Sequence, residues 1–535
     1  GGSISSSGNI DPSTKKTVRT VSWDGPILSS VSSTAYLTRY VKNAIFSQTS
    51  EADFNSGTTA GIAVTNTAGG ELALGEVGYG DWCKPNLTNV TLDLPKQGVA
   101  NAITAIEGRV FAGTGENASG VSFANVTISN TNPPAAAISG TFDGFKTNGV
   151  FGEANYAYLA TDNNFKEIEI INMSQVPYTE AGYFNAPGIG NGNSIFVSGT
   201  IGYMISGSQL YTFDLTGKSG SRPQLGTVTL AGTGERVVVS GDYAYVAIDS
   251  ESTQLQIVQV SMDGRTLTVV GQAQVNGNDG KDVDVNSTGT RAYLVTEASP
   301  AQREFFIIDI SSKTGSRPTL GSFETNGMNP KGVTVVTHNK AVMTGTNAEE
   351  YQVVDITDEA SPSRCGGAQI DTGIHGVASV SEADSDGYSY IITGDMSSEL
   401  RIIEGGPGGK YALSGTFESA TLAYPAATSS AQIAFNRFDA TILKPPGTDV
   451  KIQLATADSV NGSCSGVSYS YVGPDGTGNS YFTSSSDTAM SAIIPTNVSG
   501  SFKNPNACFR YKVYLTSLDR NITPVFYDMT VNYSQ

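Results

Sequence analysis

Phe305-Phe306-Ile307-Ile308-Asp309-Ile310-Ser311 is a short apolar run that ends in a polar bend, and the chain repeats it. Its relatives are Glu169–Ser174, Tyr211–Thr216, Gln256–Ser261, Tyr351–Thr357, a degraded Leu400–Gly405 and a weak first copy at Asn125–Ser129. The polar residue after the run falls at Thr127, Asn172, Asp214, Gln259, Asp309, Asp355 and Glu404, in steps of 45, 42, 45, 50, 46 and 49 residues. A second marker keeps the same period. An aromatic-centred strand such as Arg291-Ala-Tyr-Leu-Val-Thr296 recurs with Phe111, Tyr158, Tyr203, Tyr245, Tyr293, Val342 and Tyr390 at its aligned position.

Each unit reads as four short strands, clearest at 282–286, 291–296, 305–310 and 320–325. Four strands repeated about every 45 residues predict a seven-bladed β-propeller over 101–417. Neighbouring sheets then cover both faces, which accounts for apolar runs with no alternation, such as Phe305–Ile308 and Val237–Val239. The residue after the run accepts Thr, Asn, Gln and Glu as readily as Asp. That range suits a side chain bonding the backbone of the bend, not a catalytic or metal-binding group.

The totals agree with an all-β chain. Of 535 residues 61 are Gly, hydrophobic content is 39% and charged content only 15%, a mix suited to strands and turns. This length also calls for more than one core. Net charge is −18, from 31 Lys and Arg against 49 Asp and Glu, so nucleic acid and anionic membrane surfaces are poor partners. No stretch approaches the roughly 20 apolar residues of a membrane span. Residues 1–24 read as a flexible N-terminal arm, within which Lys15–Trp23 has strand propensity and is expected to offer an unpaired strand to a neighbouring molecule. Residues 25–100 read as a short α/β segment packing on the propeller. Its one helix is expected at Thr34–Ser47, where Tyr36, Leu37, Tyr40, Val41, Ala44 and Ile45 recur at helical spacing.

After the glycine-rich 405–409, expected as a hinge, Tyr411–Phe417 is expected to complete the last blade. Residues 418–535 lose the period, and short strands there predict an antiparallel β-sandwich. The four cysteines form no CxxC pair, and with only two histidines a zinc cage is disfavoured. Two disulfides in an oxidising compartment are expected instead. Cys83 lies before the first unit and Cys365 in the sixth. Their bond would staple the ring and stabilise it by about 4–5 kcal/mol. Cys464 and Cys508 would pair locally.

Chemistry-bearing motifs are sparse. Gly-x-Ser-x-Gly, His-Glu-x-x-His and phosphate-loop patterns are absent. His338 reads as an exposed turn residue, and His375 opens the last unit, where it can face the central channel but lacks an identified partner. Glu382-Ala-Asp384-Ser-Asp386-Gly387 has the alternating oxygens of a calcium loop, with Asp384 and Asp386 as ligands. The same residues make an Asp-Gly turn, which is the preferred reading.

The motifs Phe306–Ser311 and Tyr351–Thr357 resemble LVIVD-repeat β-propeller proteins of bacterial and archaeal surfaces. Tyr471–Gly476 and Arg510–Asp519 resemble sandwich modules of large exported, pilin-like proteins of small-genome bacteria. The disulfide-compatible cysteines, the acidic composition and the lack of a catalytic constellation predict an extracellular or cell-surface protein without enzymatic activity. It would serve in adhesion, or as a subunit of a filament, with a surface glycan, a protein or copies of itself as partner. The loops at one propeller mouth are the expected binding surface. The alternative is a hydrolase or lyase acting on extracellular polysaccharide through paired channel carboxylates. Electron transfer lacks haem or iron–sulfur ligand spacing.

Overall fold

The computed structural model describes residues 14–534 apart from 25–27, 39–42, 67–68, 96–99, 115–120, 338, 424–432 and 497–501. His338 and the start of the expected arm therefore lie outside the described residues. The chain forms two compact units, 77–409 and, from its two ends, 1–76 with 410–535. The first is inserted in the sequence of the second.

Residues 77–409 fold into seven successive sheets, each with four antiparallel strands and two with a short fifth strand added in parallel. The first strands of these sheets are Ala100–Ile106, Thr147–Gly152, Ser194–Ser198, Thr233–Ser240, Gly280–Val285, Asn329–Thr337 and Ile374–Ser381. They touch one another in cyclic order, and Ile374–Ser381 returns to Ala100–Ile106. Apolar residues fill every gap between sheets. Phe305 and Ile307 pack toward the sixth sheet with Met343 and Val354. Phe306, Ile308 and Ile310 pack toward the fourth with Tyr245 and Ile257. A strand buried on both faces is what the unbroken run Phe305–Ile308 requires.

The recurring polar residue caps the bend. Asn172, Asp214, Asp309 and Asp355 each accept the backbone N–H two residues on, at 2.9 Å. The near-copied turns Thr216–Pro223 and Ser311–Pro318 each lend a two-residue strand to the preceding sheet. Lys218 then lies 5.0 Å above the Tyr158 ring and Lys313 lies 5.7 Å above that of Tyr245.

The seventh sheet is completed differently from the expectation. Its outer strand is Asn86–Leu92, paired antiparallel with Leu400–Pro407. Ser414–Glu418 instead pairs with Cys508–Ser517 in the other unit, so this unit ends at 409 and not at 417. Both predicted disulfides are formed, Cys83–Cys365 and Cys464–Cys508. The first ties the segment that supplies the closing strand to Ser363–Ala368, the outer strand of the sixth sheet. Trp82 beside it is buried, and its indole N–H donates to the Pro407 carbonyl at 3.0 Å. A Cβ on Gly405 would stand 2.2 Å from that ring. The glycines at 405–406 are therefore a seat for Trp82 within a strand and not a hinge.

In the other unit, two sheets enclose one core containing Phe435, Phe438, Ile452, Tyr511, Val513 and Phe526. Its strands come from both ends of the chain. Asn43–Gln48 pairs with Met529–Ser534, Thr58–Ala60 with Ser414–Glu418, and Glu71–Leu74 with Val525–Phe526. Of the segment 25–100 expected to pack on the propeller, the part up to residue 76 thus belongs here, while 77–100 joins the cycle of sheets.

The helix expected at 34–47 is not formed. Its described parts lie in the strands Leu28–Thr38 and Asn43–Gln48. Burial over 44–48 alternates residue by residue, leaving Ile45 66% exposed, which is the period of a strand. The short helix is Glu51–Asn55, capped by Ser50 with Asp53 in a capping box. Thr14–Asp24 is paired along its length with Leu28–Thr38, so the described part of the arm is a hairpin and not an unpaired strand.

Candidate functional site

The first strand of a sheet pairs on one side only, with its own second strand, and its start faces the middle of the cycle of sheets. In six of the seven sheets the register of that pairing slips by one residue near the start. The residues left over by the slip are Asn101, Asn148, Glu235, Lys281, Lys331 and His375. A bulge of this kind re-aims the extra side chain. All six, joined by Asn193 from the third sheet, line one cavity of about 490 Å³. Every sheet contributes to it. The remaining lining is mainly polar, with Lys146, Asp162, Arg236 and Asp282 among it.

The cavity is chemically lopsided. Sheets one to three present the amides Asn101, Asn148 and Asn193 and the paired Lys146 and Asp162. Sheets four to seven present Glu235, Lys281, Lys331 and His375. Several charges are already answered within the protein. Asp162 accepts from Asn148 at 2.6 Å and pairs with Lys146 at 3.4 Å. Asp282 lies 3.5 Å from Arg236, and its two oxygens accept the backbone N–H groups of Val283 and Val333, each at 2.9 Å. It thereby bridges the fifth and sixth sheets, as does Asp284 through Val335. Lys281 reaches Asp279 at 3.3 Å. Lys331 has no carboxylate within 4 Å among the described residues.

Burial sets the protonation of this half. It pushes the Asp282 carboxyl up to about 6, against the pull of Arg236 and the backbone donors. It also raises Glu235, and Asp249 and Asp279 add to the effect while Lys281 and Lys331 oppose it. His375 is held below its ordinary value by burial, with Lys331 adding to the effect.

Asp384 and Asp386 do not form a cation cage. The Asp384 oxygens accept from the Asp386 N–H at 3.0 Å and the Tyr388 hydroxyl at 3.2 Å. Asp386 accepts from the Tyr79 N–H and, at 3.0 Å, from Asn132. Each oxygen is engaged by a protein donor, which accords with the turn reading. No group of three or more His, Cys, Asp or Glu side chains among the described residues is arranged to hold a metal. No helix among them is long and apolar enough to cross a membrane.

Of the candidate residues named above, His375 lies in the cavity and Asp384 and Asp386 do not. The other bulge residues were missed because no motif marks them. Their signal is one of phase, since each stands just before the apolar part of a first strand, once per repeat.

The LVIVD repeat matches residues 231–262, which span the first three strands of the fourth sheet. No curated protein matches the chain. Among solved structures the chain is similar to the WD40 β-propeller domain of Doa1, at 13% identity and TM-score 0.44, covering 60% of this chain and 96% of that one. It is also similar to the β-propeller domain of Myceliophteria_thermophila Cps50 (Swd1), at 8% identity and TM-score 0.44, covering 60% and 99%.

Proposed function

We propose that residues 77–409 are a seven-bladed β-propeller, that the remaining sheets form a β-sandwich, and that the protein is a non-enzymatic binding module of an extracellular surface. It acts in adhesion or as part of a surface appendage. The observation that carries the binding reading is the cavity, into which a repeated bulge turns one side chain from almost every sheet. Seven polar side chains, three amides and four ionisable groups, converge on that one space. Two disulfides favour an oxidising compartment.

The test is a glycan and surface-protein array probed with the intact chain and with Asn148→Trp, which fills the cavity. Saturable binding lost in the variant is expected. Binding that survives in the variant sinks the reading.

The polysaccharide-cleaving alternative draws on Glu235 and Asp282, two cavity carboxyls raised by burial. A glycosidase needs a second carboxyl free to act as base or nucleophile. Both Asp282 oxygens are occupied by backbone donors, and Asp162 is held by Asn148 and Lys146, which speaks for binding without turnover. Product release from a glycan panel, abolished by Glu235→Gln, would reverse that preference.

A further inference from the structure

We infer that the cavity binds a sugar acid, a small polyhydroxylated ligand carrying one carboxylate, either free or as the end of an acidic glycan. The inference rests on the reading of the cavity as the ligand site and adds the class of ligand.

The division of the cavity carries it. Asn101, Asn148 and Asn193 make one wall with the mutually paired Lys146 and Asp162. Asn148 donates to Asp162 and the Gly192 carbonyl and Asn193 to the Gly234 carbonyl, so this wall offers a ligand hydroxyl chiefly the amide oxygens and the Asn101 amide. The opposite wall carries Lys281 and Lys331. Lys281 is already shared with Asp279 at 3.3 Å and Glu297 at 4.0 Å. Lys331 has no such partner among the described residues, although it stands in the field of both Glu235 and His375. An ammonium that lines a polar cavity with no carboxylate within 4 Å among the described residues is a natural seat for a ligand carboxylate. Nearby Glu235 repels a second negative charge, so one acid group is preferred over several. No Phe, Tyr or Trp is among the described lining side chains, so recognition here rests mainly on hydrogen bonds and charge. A volume of about 490 Å³ admits one or two sugar rings and no folded chain.

The experiment is calorimetric titration of the full chain with glucuronate, glucose, inorganic phosphate and a neutral oligosaccharide ending in one glucuronate. Glucuronate is expected to bind at least about ten-fold more tightly than glucose or phosphate. Lys331→Met should remove that advantage and leave the glucose affinity and the urea midpoint unchanged, and Lys331→Arg should restore it. An oligomer tighter than the monomer identifies a glycan end as the source, and a weaker one identifies the free acid. Equal affinity for glucose and glucuronate overturns the inference, as does phosphate binding as tightly as glucuronate, or an advantage that survives in Lys331→Met. If neither sugar binds while the array ligand still depends on Asn148, the inference falls alone. If array binding ignores Asn148→Trp, both readings fall.

Discussion

The two units are built from the same strands and turns, but they differ in how far along the chain each strand finds its partner. In the cycle of sheets nearly every strand pairs with one a few residues away, and a single pairing, Asn86–Leu92 with Leu400–Pro407, spans the unit. In the two-sheet unit the pairings of 43–48 with 529–534 and of 71–74 with 525–526 span almost the whole chain. The insertion is placed where this does least harm. Within the two-sheet unit Glu76 bridges Tyr411, and the Gly75 carbonyl accepts the Ala412 N–H at 2.8 Å. The chain leaves and re-enters between neighbouring strands, so the loop-closure cost of a long-range pairing is met once.

The largest expected effect comes from breaking the one long-range pairing of the cycle. A fragment of residues 77–409 should unfold in one cooperative urea transition. A fragment of residues 94–409 lacks Trp82, Cys83 and the closing strand, and leaves an unpaired edge on the seventh sheet. It should show no cooperative transition, or should aggregate. Equal transitions from the two fragments would mean that the closing strand is dispensable.

Next come the disulfides, one per unit. Cys83–Cys365 spans 282 residues and Cys464–Cys508 spans 44. Loop entropy assigns about 5 kcal/mol to the first and about 4 kcal/mol to the second. Cys365→Ser with Cys83→Ser should lower only the transition of 77–409, and Cys464→Ser with Cys508→Ser only the other. A shift of both transitions by either pair would contradict two independently stabilised units.

The same difference in range explains what the sequence disclosed. Phe305–Ser311 and its relatives display the cycle because each sheet is a contiguous stretch with a repeated apolar pattern. Ser414–Glu418 was misassigned because its strand pattern is that of a blade. What decides its place is a partner 94 residues away, Cys508–Ser517, which no local pattern encodes. Asn43–Gln48 was read as helix because apolar residues in a short window fit both periods. Pairing with Met529–Ser534 selects the strand. The cavity was hidden for a further reason. A bulge is a one-residue slip in register, and its residue is Asn, Glu, Lys or His from copy to copy, so no common motif marks it.

A smaller effect concerns the cavity and pH. The charged groups facing Asp282 and Glu235 are Arg236, Lys281, Lys331, Asp249, Asp279 and Asp284. Asp282 has its carboxyl raised to about 6, so it is ionised at neutral pH and takes up a proton as pH falls through that value. Glu235 moves in the same direction. The cavity becomes more positive on acidification, while a sugar acid stays ionised down to about pH 4. Glucuronate should bind about three-fold or more tighter at pH 5 than at pH 7.5, and glucose should not respond. Weaker binding at pH 5 would place the carboxylate elsewhere.

The smallest expected effect tests the repeat itself. Asp309 accepts the Ser311 N–H at 2.9 Å and its hydroxyl at 2.6 Å, and pairs with Arg291 at 3.2 Å. Its counterpart in the second sheet, Asn172, makes the backbone bond alone, at 2.9 Å. If the bend is what the position serves, Asp309→Ala should cost about 1 kcal/mol. Asp309→Asn should cost only a few tenths, the value of a half-exposed ion pair. The hydrogen bonds from Ser311, with Arg291, hold the Asp309 carboxyl below the usual carboxylate range. A group lowered in this way stabilises the fold above the carboxyl's ordinary value near 4, and loses that contribution as pH falls through its depressed value. The stability difference between the native chain and Asp309→Asn should therefore vanish in acid and be complete at neutral pH. A large loss in Asp309→Asn at every pH would instead assign the carboxylate a role that the amide at Asn172 cannot fill, and would break the equivalence of the repeats.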